Sequence, residues 1–225
     1  MIIAFFIWLG KTYIIPELRK RKVLKTRICV PIYLALSIYV FEVKAQEQKF
    51  QIKRNDQIIG KMLLKHEKKG DDLFLTISSK IKIRFLFNIE LETEDFAHFN
   101  NGHLITSTVR RILNGKAREE KTTRLIANRY QLISGSKISA INVPITFNMM
   151  LIYENEPLGF SSIYSDNFQC FLDIKKVDHH QYRIDLPDGN YNKYLFENGT
   201  CKLITIKHLT HTQSKYNVYN GTFGK

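Results

Sequence analysis

The stretch FNNGHLITSTVRRILNGKAREEKTTRL, residues 99–125, contains two Asn-Gly pairs on either side of a run rich in apolar and threonine residues. Asn-Gly is the strongest short signal for a β-hairpin, because a type I′ turn requires a positive φ at both central positions. Similar turn signals recur after residue 46, and the runs between them are rich in Ile, Val, Thr, Tyr and Phe. The sequence therefore predicts a mainly-β protein in which hairpin-linked strands pair antiparallel.

The predicted strands have one apolar and one polar face. Ile81, Ile83 and Phe85 share one face of such a strand, and the residues between them are basic. This alternation is typical of a sheet with one side on the core and one side in water. We expect a strongly curved antiparallel meander, forming a half-barrel or barrel.

Segment 143–166 departs from strand composition. Pro144 can open a helix and Thr146 can cap one, which predicts one short helix around 145–153. The helix should end before Glu156, because a proline follows it. Such a helix would plug the concave side of the sheet, either as core or as the lining of an apolar ligand site. The predicted ligand-binding residues are Met149, Met150, Tyr153, Phe160 and Tyr164.

The first 45 residues differ from the rest. A basic block precedes the apolar run 28–41, and Val43 and Ala45 then have the −3 and −1 spacing that signal peptidase accepts. We therefore predict a leader, 1–45, with a signal peptide cut after Ala45, and a single β domain, 46–225. The expected product is exported, either periplasmic or extracellular and envelope-associated. It would contact the membrane only through an uncleaved leader.

The chain is basic, with 34 Lys and Arg residues against 21 Asp and Glu and a formal net charge of +13. Eight of the basic and two of the acidic residues lie in the leader, which leaves +7 for residues 46–225. About half of the net charge is thus assigned to targeting. The remaining charge is typical of solvated lysines on strand faces; the alternative is contact of an exported protein with anionic lipid or glycan, and nucleic acid is not an expected partner.

Sequence motifs for catalysis are missing. The chain contains no Gly-x-Ser-x-Gly, Cys-x-x-Cys or His-Glu-x-x-His motif and no phosphate-binding glycine loop. Glu90, Glu92 and Glu94 share one face of a predicted strand, which is more typical of a solvated face than of an acid–base pair. We predict no catalytic residue, no metal site and no cofactor. Export leaves a disulfide between Cys170 and Cys201 open, with two buried thiols as the alternative.

The arm after the second Asn-Gly pair, residues 116–124, has no apolar face. A two-residue loop would place Arg110 opposite Glu119, a favourable cross-strand pair, and Arg111 opposite Arg118. The arm should then project as a solvated edge or cross the rim of a barrel. The candidate residues for binding an envelope protein are Arg110, Arg111, Arg118 and Arg124.

The order of the motifs resembles that of a known family. N-D-x-x-I-G (55–60) comes first, F-x-N-G-x-L (99–104) follows, and L-P-D-G-N-x-N-x-Y-x-x-E-N-G (186–199) is the last and most specific. Over residues 48–210 the chain resembles an uncharacterised family of exported bacterial proteins, domain of unknown function 6134, and is similar in style to the 3108 family. The resemblance implies a periplasmic or surface location and a lipoprotein-carrier-like half-barrel or barrel. It implies no catalytic residue.

The sequence is consistent with three functions. The leading hypothesis is a non-enzymatic exported binding protein that holds an apolar or amphipathic, lipid-like molecule in the curved sheet. The second is a structural or interaction protein of the cell envelope, which binds a partner through an exposed sheet edge or the 110–124 hairpin. The third is an enzyme that acts on glycans or lipids.

Overall fold

The structure, a computed structural model, describes residues 44–84, 88–208 and 214–220. Within these ranges the chain forms fourteen β-strands, so the predicted mainly-β class is confirmed. The strands are β1 Lys44–Arg54, β2 Gln57–Lys69, β3 Asp72–Arg84, β4 Asn88–Asn100, β5 His103–Leu113, β6 Lys116–Ile126, β7 Arg129–Ser134, β8 Lys137–Ile141, β9 Ser162–Ser165, β10 Cys170–Asp178, β11 Gln181–Asp185, β12 Tyr191–Glu197, β13 Thr200–His208 and β14 Ser214–Asn220.

Most of the predicted leader lies outside the described residues. Lys44 and Ala45 already belong to β1, so the predicted cut would fall just inside this strand. No helix in the described ranges is long and apolar enough to cross a membrane.

All neighbouring strands pair antiparallel in one sheet. The order from edge to edge is β8-β7-β6-β5-β4-β3-β2-β1-β14-β13-β12-β11-β10-β9. Two meanders, β1 to β8 and β9 to β14, are joined in the middle by the pairing of β1 with β14. The predicted antiparallel meander is therefore confirmed.

The Asn-Gly pairs form the hairpin turns. The φ angle is 47° at Asn101 and 74° at Gly102, and it is 49° at Asn114 and 74° at Gly115. Positive φ at two successive residues is the signature of a type I′ turn, whose twist matches that of the flanking strands. These turns therefore support the coiling of the long hairpins into a curved sheet.

The sheet rolls up and buries its concave face against itself. Leu75 on β3 and Ile163 on β9 lie far apart in the strand order, yet they belong to one buried cluster. After β9, Gln169 Nε2 donates to the carbonyl oxygens of Thr122 (3.0 Å) and Ile133 (3.2 Å) on β6 and β7. Among the described residues no backbone ladder joins the edge strands β8 and β9, so the barrel is unclosed.

The predicted helix around 145–153 is wrong in extent. Only a single 3-10 turn forms there, Leu151–Tyr153. The backbone N–H of Met149 donates to the carbonyl of Tyr164 at 2.9 Å, which draws this part of the segment into contact with β9. Asn148 Oδ1 then accepts the backbone N–H groups of Met150 and Leu151, a local side-chain-to-backbone arrangement that competes with a longer helix at this point.

The connection between β8 and β9, residues 142–161, fills one end of the barrel, and we call it the plug. Ile145 and Ile152 of the plug are 0% exposed. The carbonyl of Ile145 also accepts the backbone N–H of Leu104 at the start of β5, at 2.8 Å. The plug is therefore an integral part of the core.

Two glutamates fasten the plug to the sheet. Glu154 Oε2 lies 2.7 Å from His66 Nδ1, and Glu156 lies 2.9 Å from His180 Nδ1. The Tyr182 hydroxyl donates to Glu156 at 2.7 Å. Burial acts to raise the pKa of Glu156, but Tyr182 and His180 favour its ionised form, and its pKa lies below the usual 4.5.

The β5–β6 hairpin differs in register from the prediction. A β-bulge makes Arg118 an extra residue of β6. Arg111 therefore lies opposite Glu119, and Arg110 lies opposite Glu120. The predicted pairs Arg110–Glu119 and Arg111–Arg118 are wrong, because a two-residue loop alone does not reveal a bulge further along the ladder.

The arm is a solvated edge over only part of its length. In the described sheet, residues 116–120 pair with β5 alone, whereas 121–126 also pair with β7. Thr123 in the second part is 1% exposed and shares a hydrogen bond of 2.9 Å with the Tyr164 hydroxyl. The predicted absence of a buried face is wrong for this part, because a threonine can enter the core when its hydroxyl has a partner.

Gly60 lies on β2 where the neighbouring strand comes close. A Cβ at this position would lie 2.5 Å from the carbonyl oxygen of Lys80 and 3.0 Å from the Cα of Ile81. Both are backbone atoms of β3, so no change of side-chain rotamer relieves the contact.

We expect Gly60→Ala to lower the free energy of unfolding by about 1–3 kcal/mol, because β2 and β3 must move apart. The control is Ser78→Ala, at an exposed position on β3, which should change it by less than about 0.5 kcal/mol. Urea denaturation measures both variants. Equal stability of the two would contradict the close approach of the strands.

Candidate functional site

The concave side of the sheet encloses a cavity of about 430 Å³ next to the plug. Strand alternation turns every second side chain toward this space. The apolar part of the wall includes Ile52, Ile77, Ile81, Leu91, Val109 and Val218. The volume lies within the range of roughly 300–1,000 Å³ that is usual for ligand pockets.

The cavity runs from the plug to the hairpin ends on the opposite side. Met149 and Tyr153 of the plug form its floor. Ile83, Ile89 and Leu113 line it at the other end, where Ile89 is 41% exposed. As far as the described residues show, the cavity is therefore open toward the β3–β4 end of the barrel and blocked by the plug at the other.

An ion pair lies on the cavity wall. Asp95 on β4 accepts two hydrogen bonds from Arg111 on β5, from Nη1 to Oδ1 and from Nη2 to Oδ2, the latter at 3.3 Å. Burial raises the pKa of Asp95 above its usual 3.8, although Arg111 acts in the opposite direction. The pair makes this part of the wall polar without adding net charge.

Asp166 follows β9 and also lines the cavity, where it is 5% exposed. Its Oδ2 accepts a hydrogen bond of 3.0 Å from Asn148 Nδ2 of the plug. Within the described ranges Oδ1 has no hydrogen-bond partner, and the carboxylate has no ion pair. The Ser107 hydroxyl is near enough to favour the ionised form, but it does not meet the geometry of a hydrogen bond.

The environment of Asp166 disfavours its ionised form. Burial raises its pKa to about 6, Ser107 and Asn148 oppose this rise, and the charge of Asp95 adds to it. A buried carboxylate of this kind costs folding free energy whenever it is ionised.

Two amide oxygens share this lack of a partner. Asn167 Oδ1 and Asn192 Oδ1 line the cavity, are buried and accept no hydrogen bond from the described part of the chain. The Asn192 amide is oriented by its Nδ2, which donates to the Tyr194 hydroxyl at 3.2 Å. An unsatisfied buried acceptor costs about 1–3 kcal/mol, so the cavity suits a molecule that brings hydrogen-bond donors.

The residues predicted to bind a ligand divide into two groups. Those that line the cavity are Met149, Met150 and Tyr153. Phe160 is 42% exposed and stacks on Phe147 with ring centroids 4.4 Å apart, outside the cavity. Tyr164 is 0% exposed and belongs to the core. The three residues that line the cavity lie at the end that the plug closes.

The four arginines predicted to bind a partner do not form one surface. Arg110 is exposed and pairs with Glu94 at 3.1 Å, while Arg118 and Arg124 are exposed on β6. Arg111 faces the cavity, so its assignment to a partner surface is corrected. It lies one residue from Arg110 and therefore on the other face of the strand.

Both cysteines of the described chain are free thiols. Cys170 is on β10 and Cys201 is on β13, so two strands lie between them. Strands are spaced about 4.8 Å apart, which puts the two Cα atoms well beyond the reach of a disulfide. The bridge that the sequence left open is therefore not formed. Among the described residues no group of three or more His, Cys, Asp and Glu side chains could hold a metal ion.

Asp95, Asp166 and Asn192 were not among the residues predicted from sequence. For two of them, the position in the strand pattern indicates a side chain that faces the interior. Asp95 is in phase with Leu91 on an apolar face, and Asn192 is in phase with Tyr194. Asp166 has no such indication, because its burial depends on how the plug packs against β9.

Comparison with known proteins assigns the chain to a family. A family model for a domain of unknown function, DUF6134, matches residues 50–217, which run from β1 to β14. The chain belongs to this family. The resemblance seen in the motifs is thereby confirmed. No curated protein matches the sequence.

A solved structure supports the fold of this DUF6134 chain. It is similar to the crystal structure of a beta-barrel-like protein of domain of unknown function DUF1849 from Brucella abortus, with a TM-score of 0.51 and 9% identity. The match covers 80% of this chain and 96% of that chain. At this identity the similarity shows a common fold.

We expect Asp166→Asn to stabilise this DUF6134 protein at neutral pH. The pKa of Asp166 is raised on folding, from about 3.8 to about 6, so the folded chain binds a proton more tightly than the unfolded chain. Folding stability is therefore lost as the pH rises through this window, and an uncharged amide avoids the loss.

The advantage of the variant over the wild type should grow by roughly 2–3 kcal/mol between pH 4 and pH 7. Urea denaturation at both pH values measures it. Asp173→Asn, at an exposed position on β10, is the matched control and should show no such growth. A difference between wild type and Asp166→Asn that does not change with pH would refute the buried, ionising carboxylate.

Proposed function

We propose that this protein is exported and, without catalysing a reaction, holds an apolar or amphipathic, lipid-like molecule inside its curved sheet. The observation that carries the proposal is the cavity of about 430 Å³. Its wall combines aliphatic side chains with buried acceptor oxygens that have no partner in the described chain. A filled core would have neither feature.

The floor of the cavity fits this role. Met149 and Met150 belong to the plug, and methionine side chains adapt to ligands of different shape because they are unbranched and polarizable. The opposite end, near Ile89, offers a path for an elongated molecule to enter. The basic block, apolar run and cleavage spacing of the leader support export to the periplasm or cell surface.

The test is native mass spectrometry of protein purified from the cell envelope. The wild type should carry a non-covalent adduct that dissociates on activation. Leu91→Trp places an indole in the cavity and should reduce the occupied fraction at least tenfold, since the ligand and the indole compete for the same space. Phe96→Trp, on the opposite face of β4, is the control and should keep the adduct.

Circular dichroism and thermal unfolding must show that both variants fold. A clean apo mass for the wild type, or an adduct equally retained in Leu91→Trp, would count against the proposal.

Asp95 and Asp166 lie in different environments in one cavity, a pattern also found in acid–base pairs. Recovery of a chemically altered lipid or glycan would therefore favour the enzyme.

A second candidate is strand addition at the edge strand β8. This strand pairs only with β7 in the described sheet, and Ile138 on it is 65% exposed. Such an edge can accept an extended segment of an envelope protein. A photo-crosslinking residue at Ser139 should then give one discrete adduct in intact cells, and the same residue at Ser78, within the sheet, should give none. Absence of an adduct from Ser139 would dismiss this candidate.

A further inference from the structure

The charges in the cavity do not balance. Asp95 and Arg111 neutralise each other, which leaves the Asp166 carboxylate as an uncompensated negative charge. The nearby ammonium group of Lys121 is engaged elsewhere, with the carbonyl of Asn167 at 2.5 Å and with Glu119 at 2.7 Å. The described lining therefore has one more anionic group than it has cationic groups.

The unsatisfied atoms of the lining are also of one chemical kind. Asp166 Oδ1 and Asn167 Oδ1 belong to successive residues, and Asn192 Oδ1 lies on another part of the wall. All three are hydrogen-bond acceptors, and none donates. A group that satisfies them must donate hydrogen bonds, and the carboxylate favours one with a positive charge.

A primary ammonium group meets both requirements. It carries one positive charge and three N–H donors, so it can donate to Asp166 Oδ1 and still reach a second acceptor such as Asn167 Oδ1. A hydroxyl has a single donor and no charge. A carboxylate would be repelled and would leave every acceptor unsatisfied.

We propose that the cavity selects an amphipathic primary amine, whose ammonium group binds Asp166 while its hydrocarbon chain lies along the apolar wall. This inference rests on the proposed function, because it assumes a ligand in the cavity, and it goes further by naming the polar group of that ligand. The preference must originate at the site, since residues 46–225 carry a net charge of +7 and the whole molecule attracts anions.

The test compares three probes that share a ten-carbon chain and differ in the polar group: decylamine, decanol and decanoic acid. Isothermal titration calorimetry of each against the delipidated protein at pH 7.5 gives the dissociation constants. The amine is protonated at this pH. A hydrogen bond to a buried charge predicts roughly ten- to hundredfold tighter binding of decylamine than of decanol, with decanoic acid the weakest.

Two variants test whether the preference for the amine depends on the Asp166 carboxylate. Asp166→Asn keeps the shape of the side chain and an acceptor for Asn148, but it removes the charge. Its affinity for decylamine should fall roughly ten- to hundredfold, while its affinity for decanol changes by less than about threefold. Asp173→Asn removes an exposed charge from β10 and should change neither affinity.

The outcomes separate the two proposals. If no probe binds, the ligand-binding function itself fails. If decanol or decanoic acid binds as tightly as decylamine, the cavity binds ligands but the inferred amine selectivity is overturned. If Asp166→Asn does not fold, the affinities of the three probes for the unaltered protein still decide whether the cavity prefers an amine. Decylamine affinity that is unchanged in a folded Asp166→Asn would place the amine elsewhere and refute the inference.

Discussion

The apolar concave face of this fourteen-stranded sheet has to be covered, and the described chain contains no second sheet and no helical layer to cover it. The sheet covers its own concave face, because it rolls until the region after β9 contacts β6 and β7. The plug then covers one end. The plug does not fill the whole interior of the rolled sheet, so a cavity remains between Tyr153 and Ile89. The candidate site is therefore a direct result of the architecture.

The same space contains the groups that oppose stable folding. Asp166 is buried with one oxygen unsatisfied, and the Asp95–Arg111 pair is largely withdrawn from water. Apolar side chains of similar size would make a more stable core at these positions. Conflicts of this kind between local composition and folding stability concentrate at sites that bind or react, which is why the polar part of the lining is informative about function.

The predictability of each feature from sequence depends on the range of the interactions that create it. The Asn-Gly turns were predictable, because positive φ is a property of the two residues themselves. The register after Asn114-Gly115 was not, because the bulge at Arg118 depends on the whole ladder. The helix prediction was wrong for a similar reason, because the backbone at Asn148 and Met149 pairs with Tyr164 on β9. The floor residues Met149, Met150 and Tyr153 were named from sequence, whereas Asp166 became visible only with the tertiary packing.

The pairing of β1 with β14 also bears on how the chain reaches this fold. Phe50 lies opposite Asn220, so the middle of the sheet closes only after the strands of both meanders have been synthesised. Hairpins between neighbouring strands form in microseconds, whereas contacts of such high contact order are slow. Until β14 arrives, β1 exposes a long unpaired edge that can template aggregation. The pairing at the structural centre is thus expected to form later than the hairpins on either side of it.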